Sequence, residues 1–377
     1  MDNATLRLVS SPNNYKYVLG LRHESCALFL TIMQRKHCFI HIFPSGEPPL
    51  KAIQFSQAGA ARDVLSLIDV EPTPPGPDDV LIRVAYSAVN PTDVKRRSSG
   101  RELGALTTIT PNNDGAGVIE AVGTNVDSSQ IDQNVWIFGA QARRSGGTAA
   151  EYCTLPAWMA VPIPDGTTLL DGACLGVPAV TAYHSIYSDG PVDGQWILVS
   201  GGGGRVGAYA VQMAKLGGAK VIVTGSKAEG LAYAASLGAD HVINYRDEDV
   251  VARVLEITDG RGVDRVSEVA FGANISMLPK IVVVNGMVTS YSSDAIAEPV
   301  MLFLDFMFKN ITVRPYSIYG LPRDALKNSF AAITEMLAKG QLQHRVGATH
   351  TFSLEGVIAA QEMIEADASP GVCTIEM

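Results

Sequence analysis

The run Gln195–Gly207, QWILVSGGGGRVG, constrains the fold of this chain more than any other stretch. It opens on Trp196-Ile197-Leu198-Val199, a continuous apolar run of the kind a buried parallel strand uses. Four glycines follow, and Gly202, Gly204 and Gly207 have the spacing G-x-G-x-x-G. The next residues, Ala208–Leu216, repeat apolar positions at helical spacing and end on Gly217-Gly218. Strand, glycine turn and helix in this order bring a dinucleotide pyrophosphate to the positive end of a helix. The glycines let the backbone turn sharply and approach the phosphates. Gly202, Gly203, Gly204, Arg205, Val206 and Gly207 are therefore candidate cofactor contacts. A second strand at Lys220–Thr224, a helical segment and a third strand at His241–Tyr245 repeat the β-α-β unit that the motif needs around it. This half of the chain reads as a nucleotide-binding Rossmann sheet.

The 377 residues suit two domains with a sizeable core. A net charge of −9 argues against general affinity for nucleic acid or an anionic membrane surface. The five cysteines are scattered without a C-x-x-C pair, which suits reduced thiols in a cytoplasmic protein and gives no structural zinc cluster. No apolar run reaches the roughly 18 residues of a membrane-spanning helix. Residues 1–49 differ from the rest. They hold three of the seven histidines and few acids, and they lack the charge, apolar core and cleavage pattern of a secretory signal. They read as an N-terminal extension outside the folded core, where no defined structure is required.

From Leu50 onward short strands recur between Gly and Pro turns: Lys51–Phe55, Leu65–Val70, Val80–Tyr86, Gly115–Gly123 and Asn134–Phe138. Such a series predicts a small β-rich domain. A helix over Ala173–Ser188 leads into the cofactor half, which continues with strands near Asp264–Ala270, Gly286–Tyr291 and Asn310–Arg314 and a helix over Arg323–Lys339. Residues 340–377 return to strand, helix and strand. That tail is too short for a domain and is expected to complete the first one.

The order of these elements, with their motifs, resembles the medium-chain dehydrogenase/reductase superfamily, in its zinc-independent quinone oxidoreductase, zeta-crystallin-like branch. The strings that carry the resemblance are Ala88–Arg97 (AVNPTDVKRR), Asp114–Ile119 (DGAGVI), Gly147–Tyr152 (GTAAEY), Gly176–Tyr183 (GVPAVTAY), the glycine stretch, and Leu237–Tyr245 (LGADHVINY). The resemblance implies an α/β fold in which a doubly wound Rossmann sheet (176–339) is inserted in a β-rich, GroES-like catalytic domain (50–175, completed by 340–377). Zinc-dependent alcohol dehydrogenases of this superfamily carry a catalytic Cys and a Gly-His-Glu motif. In the matching places this chain has Asn90-Pro91-Thr92-Asp93 and Asn113-Asp114-Gly115. Asn and Pro do not replace thiolate and imidazole as zinc ligands. A reductase without metal is expected, passing hydride to an acceptor that is already electrophilic.

An NAD site usually places an acid at the end of the second strand to hold the ribose 2′-hydroxyl. Here that strand ends Thr224-Gly225-Ser226-Lys227, so a hydroxyl and an ammonium stand where a 2′-phosphate would need them. NADPH is the expected cofactor. By resemblance, Tyr245 lies near the adenosine phosphate and Thr181 and Tyr183 near the nicotinamide ribose, with helix packing as the structural alternative for the last two. Relatives often have Gly-Lys near the C-terminus, where this chain has Gly371-Val372. Asn90 and Lys95 are the candidate catalytic residues, because a reduced quinone or enone needs a donor aimed at its developing oxyanion. Asn90 equally suits the cap of a turn, and Lys95 equally suits a solvated helix face beside Arg96-Arg97. Arg143 and Arg144 are candidates for the rim of a substrate pocket or for plain surface charge. His184 and His344 have no partner at metal or triad spacing.

Three functions fit these residues. The first is a stand-alone reductase of a quinone or related small-molecule enone. The second is a trans-acting enoyl reductase of a polyketide or fatty-acid pathway. The third is an NADPH-binding protein with little turnover. By resemblance the protein is a homodimer joined through the edge strand near Asn310–Tyr316.

Overall fold

A computed structural model of the chain describes residues 7–11, 14–18, 49–71, 73–100 and 107–377. The chain falls into two compact units, Met1–Pro49 and Leu50–Met377. In the first, β1 (Arg7–Ser11) and β2 (Asn14–Val18) pair antiparallel. The rest of the reading of residues 1–49 lies outside the described residues.

The second unit begins with an antiparallel pair, β3 (Leu50–Gln54) and β4 (Ser66–Val70). Then come β5 (Asp79–Val89), helix α1 (Pro91–Ser99), β6 (Asp114–Val122), β7 (Asn134–Ile137), β8 (Tyr152–Pro156) and β9 (Ala160–Pro162). Pro91 starts α1 in the position where the missing N–H costs nothing, and Gly100 ends it in left-handed backbone at φ 68°. Long, central β5 pairs with both β6 and β8. Strands β8 and β9, five and three residues long, are not among those expected from the sequence.

Helix α2 (Gly176–Tyr187) leads into six strands: β10 (Trp196–Ser200), β11 (Lys220–Gly225), β12 (His241–Asn244), β13 (Val263–Glu268), β14 (Val282–Ser290) and β15 (Thr312–Pro315). All five pairings are parallel, and the order is β12-β11-β10-β13-β14-β15. Helices α3 (Arg205–Leu216) and α4 (Ala228–Ser236) make the first crossovers. The apolar runs of the strands follow from burial on both faces. In β10, Ile197 and Val199 point into one core and Leu198 into another, and in β11 Val221 and Val223 oppose Ile222 in the same way.

After α5 (Phe303–Phe308) and α6 (Arg323–Ala338), the chain returns to the first sheet through β16 (Val346–Thr351), α7 (Leu354–Glu365) and β17 (Val372–Glu376). β17 pairs antiparallel with β5, Cys373 opposite Val89, and β16 lies parallel to β17. The main core runs from Val80 and Ile82 of the first sheet through to Ile197 and Val199 of the second. Phe330 of α6 joins them, with ring centroids 5.2 Å from Trp136 and 5.3 Å from Phe138. Among the described residues no helix is long and apolar enough to cross a membrane.

Candidate functional site

A cleft of about 500 Å³ runs along the carboxyl ends of the parallel strands. Each strand delivers a residue just past its end: Gly201, Ser226, Tyr245, Val269, Tyr291 and Tyr316. Between β10 and β13 the strand order reverses, so adjacent connections leave on opposite faces and open a crevice.

The glycine turn forms one wall. A Cβ on Gly203 would lie 2.3 Å from the carbonyl oxygen of Gly230, and one on Gly207 would lie 2.2 Å from that of Gly201. Bare backbone at these two positions is what allows α3 to start against α4 and the strand end. Gly203, Gly204, Arg205, Val206 and Gly207 all line the cleft. Gly202 does not; it is buried behind the turn, and Gly201, outside the motif spacing, faces the cavity instead. Motif spacing finds the turn, but the direction of each peptide decides which glycine faces the ligand. Arg205 opens α3 beside the cleft, where burial pulls its guanidinium below the ordinary value against the charge of Asp367.

One end of the cleft holds Ser226, Lys227 and Tyr245. Lys227 Nζ donates to Asp367 Oδ2 at 2.8 Å and to the Asp367 carbonyl oxygen at 2.9 Å. Nearby, Arg345 pairs with Glu229 and places its guanidinium 4.5 Å from the Tyr233 ring centroid. The sequence reading singled out neither Asp367 nor Arg345, because both partners are over a hundred positions away along the chain.

At the other end stand Asn90, Lys95 and Thr181. Lys95 Nζ donates to Asp294 Oδ2 at 2.6 Å, a solvent-exposed ion pair at the wall of the cleft. Asp294 lies in the loop between β14 and α5. Thr181 is buried, gives its hydroxyl to the Val177 carbonyl at 2.6 Å, and accepts the Tyr316 hydroxyl on its own carbonyl at 2.7 Å. Tyr319 reaches the same wall, its hydroxyl 3.3 Å from that of Thr92.

Beneath Asn90 lies a buried polar lattice. Asn90 precedes α1, and its backbone N–H donates to Asp93 Oδ2 at 2.8 Å while its side-chain Nδ2 donates to Asp114 Oδ2 at 2.7 Å. Asp93 Oδ1 accepts from both the backbone and the side-chain nitrogens of Asn113. Asp114 Oδ2 also accepts the N–H of Val177 at 2.6 Å, which ties the lattice to the start of α2. Asn90, Asp93, Asn113 and Asp114 are all at most 1% exposed. Burial drives both carboxyls towards the protonated form. It pushes Asp93 up to about 6, opposed by hydrogen bonds from Asn90 and Asn113, and holds Asp114 well above the carboxylate range, with the neighbouring Asp93 adding to the shift.

The donor set of this lattice does not fit zinc. Both oxygens of Asp93 and Oδ2 of Asp114 are already committed to N–H donors, and the set contains no thiolate or imidazole. Among the described residues no three His, Cys, Asp or Glu side chains stand together as a metal site.

Other candidates sit elsewhere. Tyr183 is outside the cleft wall and tilts against Tyr187 at 5.1 Å, the packing role that was its alternative. His184 packs edge-on to Tyr316, and His344 Nδ1 lies 2.9 Å from the Tyr209 hydroxyl. Neither Arg143 nor Arg144 lines the cavity, and Arg144 is spent on the Thr154 carbonyl.

Comparison with known proteins places this geometry. Residues 76–165 match the alcohol dehydrogenase GroES-like domain family, and residues 206–339 match the zinc-binding dehydrogenase family. A quinone oxidoreductase of Homo sapiens is 27% identical over 321 residues, which span 85% of this chain and 95% of that protein. A trans-enoyl reductase of Aspergillus terreus is 35% identical over 219 residues, 54% of this chain and 61% of that protein. Among solved structures, the Escherichia coli quinone oxidoreductase complexed with NADPH superposes with a TM-score of 0.75 at 22% identity, covering 87% of this chain and 100% of that one. With its GroES-like and Rossmann sheets and its matched families, the chain belongs to the medium-chain dehydrogenase/reductase superfamily, in the quinone oxidoreductase branch.

Proposed function

We propose that this protein is an NADPH-dependent reductase that delivers hydride to a quinone or a related electrophilic enone without a metal ion. The observation that carries the reading is one continuous cleft: it joins the glycine turn and the Ser226–Lys227 end to a buried amide–carboxyl lattice at Asn90. Bound NADPH would supply the hydride. The chain itself supplies position and charge. Gly203, Gly204, Arg205, Val206 and Gly207 would cradle the pyrophosphate, and Ser226 and Lys227, with Tyr245 beside them, would take the 2′-phosphate. Reduction leaves negative charge on the acceptor oxygen. Asp114 holds one N–H of the Asn90 amide and so fixes the plane of that group, which leaves the second N–H for the oxyanion. In this reading residues 176–339 are the cofactor domain, inserted in a catalytic domain made of 50–175 and 340–377. Three buried free cysteines, Cys153, Cys174 and Cys373, support a cytoplasmic setting.

The cofactor assignment is tested by fluorescence titration with NADPH and NADH. Lys227→Glu is expected to weaken NADPH by about 100-fold, from the loss of a charge-assisted hydrogen bond worth roughly 1.5–3 kcal/mol, and to change NADH by less than about threefold. An unchanged preference contradicts the 2′-phosphate assignment.

A trans-acting enoyl reductase is the second reading. It is favoured by Lys95, whose ammonium on the cleft wall is a proton source for the α-carbon of an enolate, and by the similarity to the Aspergillus terreus protein. There Asp294 would keep the ammonium in place.

The same proposal includes a homodimer. β15 ends the six-stranded sheet with one edge unpaired among the described strands, and the adjoining segment exposes Val300 (83%), Phe303 (64%) and Phe308 (75%). The double change Phe303→Asp with Phe308→Asp is expected to halve the mass seen by sedimentation velocity at micromolar protein. A mass unaffected by both charges argues against this face.

A further inference from the structure

The cation assigned to the 2′-phosphate is already neutralised by a carboxylate that the same cleft provides. Lys227 stands just before α4, and Asp367 stands two residues past the end of α7, 140 positions later. Their side chains are 67% and 76% exposed, yet Nζ meets both Oδ2 and the carbonyl oxygen of Asp367. A second pair, Arg345–Glu229, also ties the C-terminal segment to α4. All four residues line the cleft, so at this end each of these two cations is paired with a carboxylate, and Arg205 stands beside them.

Resting on the NADPH reading, we propose that Asp367 is a cofactor-specificity determinant that holds down the preference for NADPH over NADH. A 2′-phosphate carries a charge of about −1.5 to −2. To reach Lys227 it must take the ammonium from Asp367 and then remain near that carboxylate. The 2′-hydroxyl of NADH meets neither demand. Because the pair is exposed, its own contribution is small, and the long lysine stem lets the ammonium swing away. What persists is the like charge of Asp367 beside the phosphate. Arg205 and Arg345 face the same space and offset part of that repulsion.

Asp367 also has a backbone role, since its φ of 48° is left-handed at the end of α7. Asn adopts this conformation as readily as Asp and keeps the side-chain shape, so Asp367→Asn removes the charge alone. Isothermal titration of wild type, Asp367→Asn and Lys227→Ala with NADPH and with NADH tests the inference. Asp367→Asn is expected to tighten NADPH about three- to tenfold and to leave NADH within about twofold. The gain should shrink in about 0.5 M sodium chloride, where charges are screened over a few ångströms. If Lys227→Ala weakens NADPH while Asp367→Asn leaves it unchanged, or if the asparagine tightens both nucleotides equally, Asp367 is not the determinant and the NADPH reading stands. If wild type binds neither nucleotide, the cofactor reading falls and the role of Asp367 falls with it.

Discussion

Valine in place of Gly203 is expected to abolish measurable NADPH binding and to lower the melting temperature by roughly 5 °C. The added Cβ would sit 2.3 Å from the Gly230 carbonyl oxygen and 2.6 Å from its Cα, so backbone meets backbone and no rotamer relieves the clash. Forcing atoms into such a contact costs about 1–3 kcal/mol, and the relief available is for α4 to move away from the glycine turn. That shift carries Lys227, at the start of α4, away from the phosphate wall. A displacement of about 1 Å in a positioned group costs on the order of 100-fold in function. Gly146→Ala is the control: its Cβ would meet nothing within 4 Å, and stability and binding should both be retained. Thermal unfolding and nucleotide titration read the two effects separately. Normal NADPH affinity in Gly203→Val would contradict the placement of the cofactor on this turn.

The second large effect concerns Asp114, where the outcome depends on which residue replaces it. Asp114→Ala removes the acceptor shared by Asn90 Nδ2 and the Val177 N–H. Two buried donors without partners cost about 1–3 kcal/mol each, so the variant should lose roughly 3–5 kcal/mol and much of its activity, because Asn90 is no longer fixed. Asp114→Asn keeps one oxygen for those donors and should fold. Its stability relative to wild type should change with pH. Burial, followed by the charge of Asp93, raises the folded pKa of Asp114 well above its ordinary value of 3.8. The native state therefore holds this proton after the unfolded chain has released it. Stability from the protonated acid is complete below the ordinary value and declines as pH rises towards the folded one. Asparagine has no proton to lose, so the advantage of Asp114→Asn over wild type should grow as pH rises. Urea unfolding at about pH 5 and about pH 8 measures it. An advantage that shrinks with rising pH would mean that Asp114 is a stabilised carboxylate.

How much of this was legible in the sequence follows from the range over which each signal acts. The parallel strands were readable because burial on both faces leaves continuous apolar runs: Lys220–Thr224 falls one residue short of β11, and Trp196–Val199 falls one residue short of β10. β8 was missed because Tyr152 and Thr154 separate Cys153 and Leu155 over only five residues. That alternation, paired with β5, was the available signal. α5 was missed for the opposite reason, since Phe303–Phe308 has one acid and no polar stripe to reveal a helical period. The surface it leaves exposed explains the pattern.

Within the site, local motifs located the glycine turn, Asn90, Lys95 and Lys227. Of the two roles weighed for Asn90, the turn brace is visible in the geometry: its backbone N–H caps α1 through Asp93 and its amide donates to Asp114, while the residue lines the cleft. The other half of the constellation comes from partners distant in sequence. Asp294 lies 199 positions from Lys95, and Asp367 lies 140 from Lys227. Only the fold brings these pairs together, and no spacing rule reaches so far. The Asn–Asp lattice shows the same limit. Residue types alone argued against thiolate and imidazole ligation, whereas the interlocking of Asn90 with Asp114 and of Asn113 with Asp93 required the register of β5 on β6.

The central claim is hydride transfer from NADPH to a quinone or enone without metal, and its most direct measurement is stopped-flow absorbance of NADPH mixed with the purified protein and one acceptor at a time: benzoquinone, phenanthrenequinone or a crotonyl thioester, each with and without a chelator. Rapid NADPH oxidation with the quinones, unchanged by the chelator, is the expected result. Oxidation with the thioester alone, loss of activity in the chelator, or tight NADPH binding with no oxidation by any acceptor would contradict it.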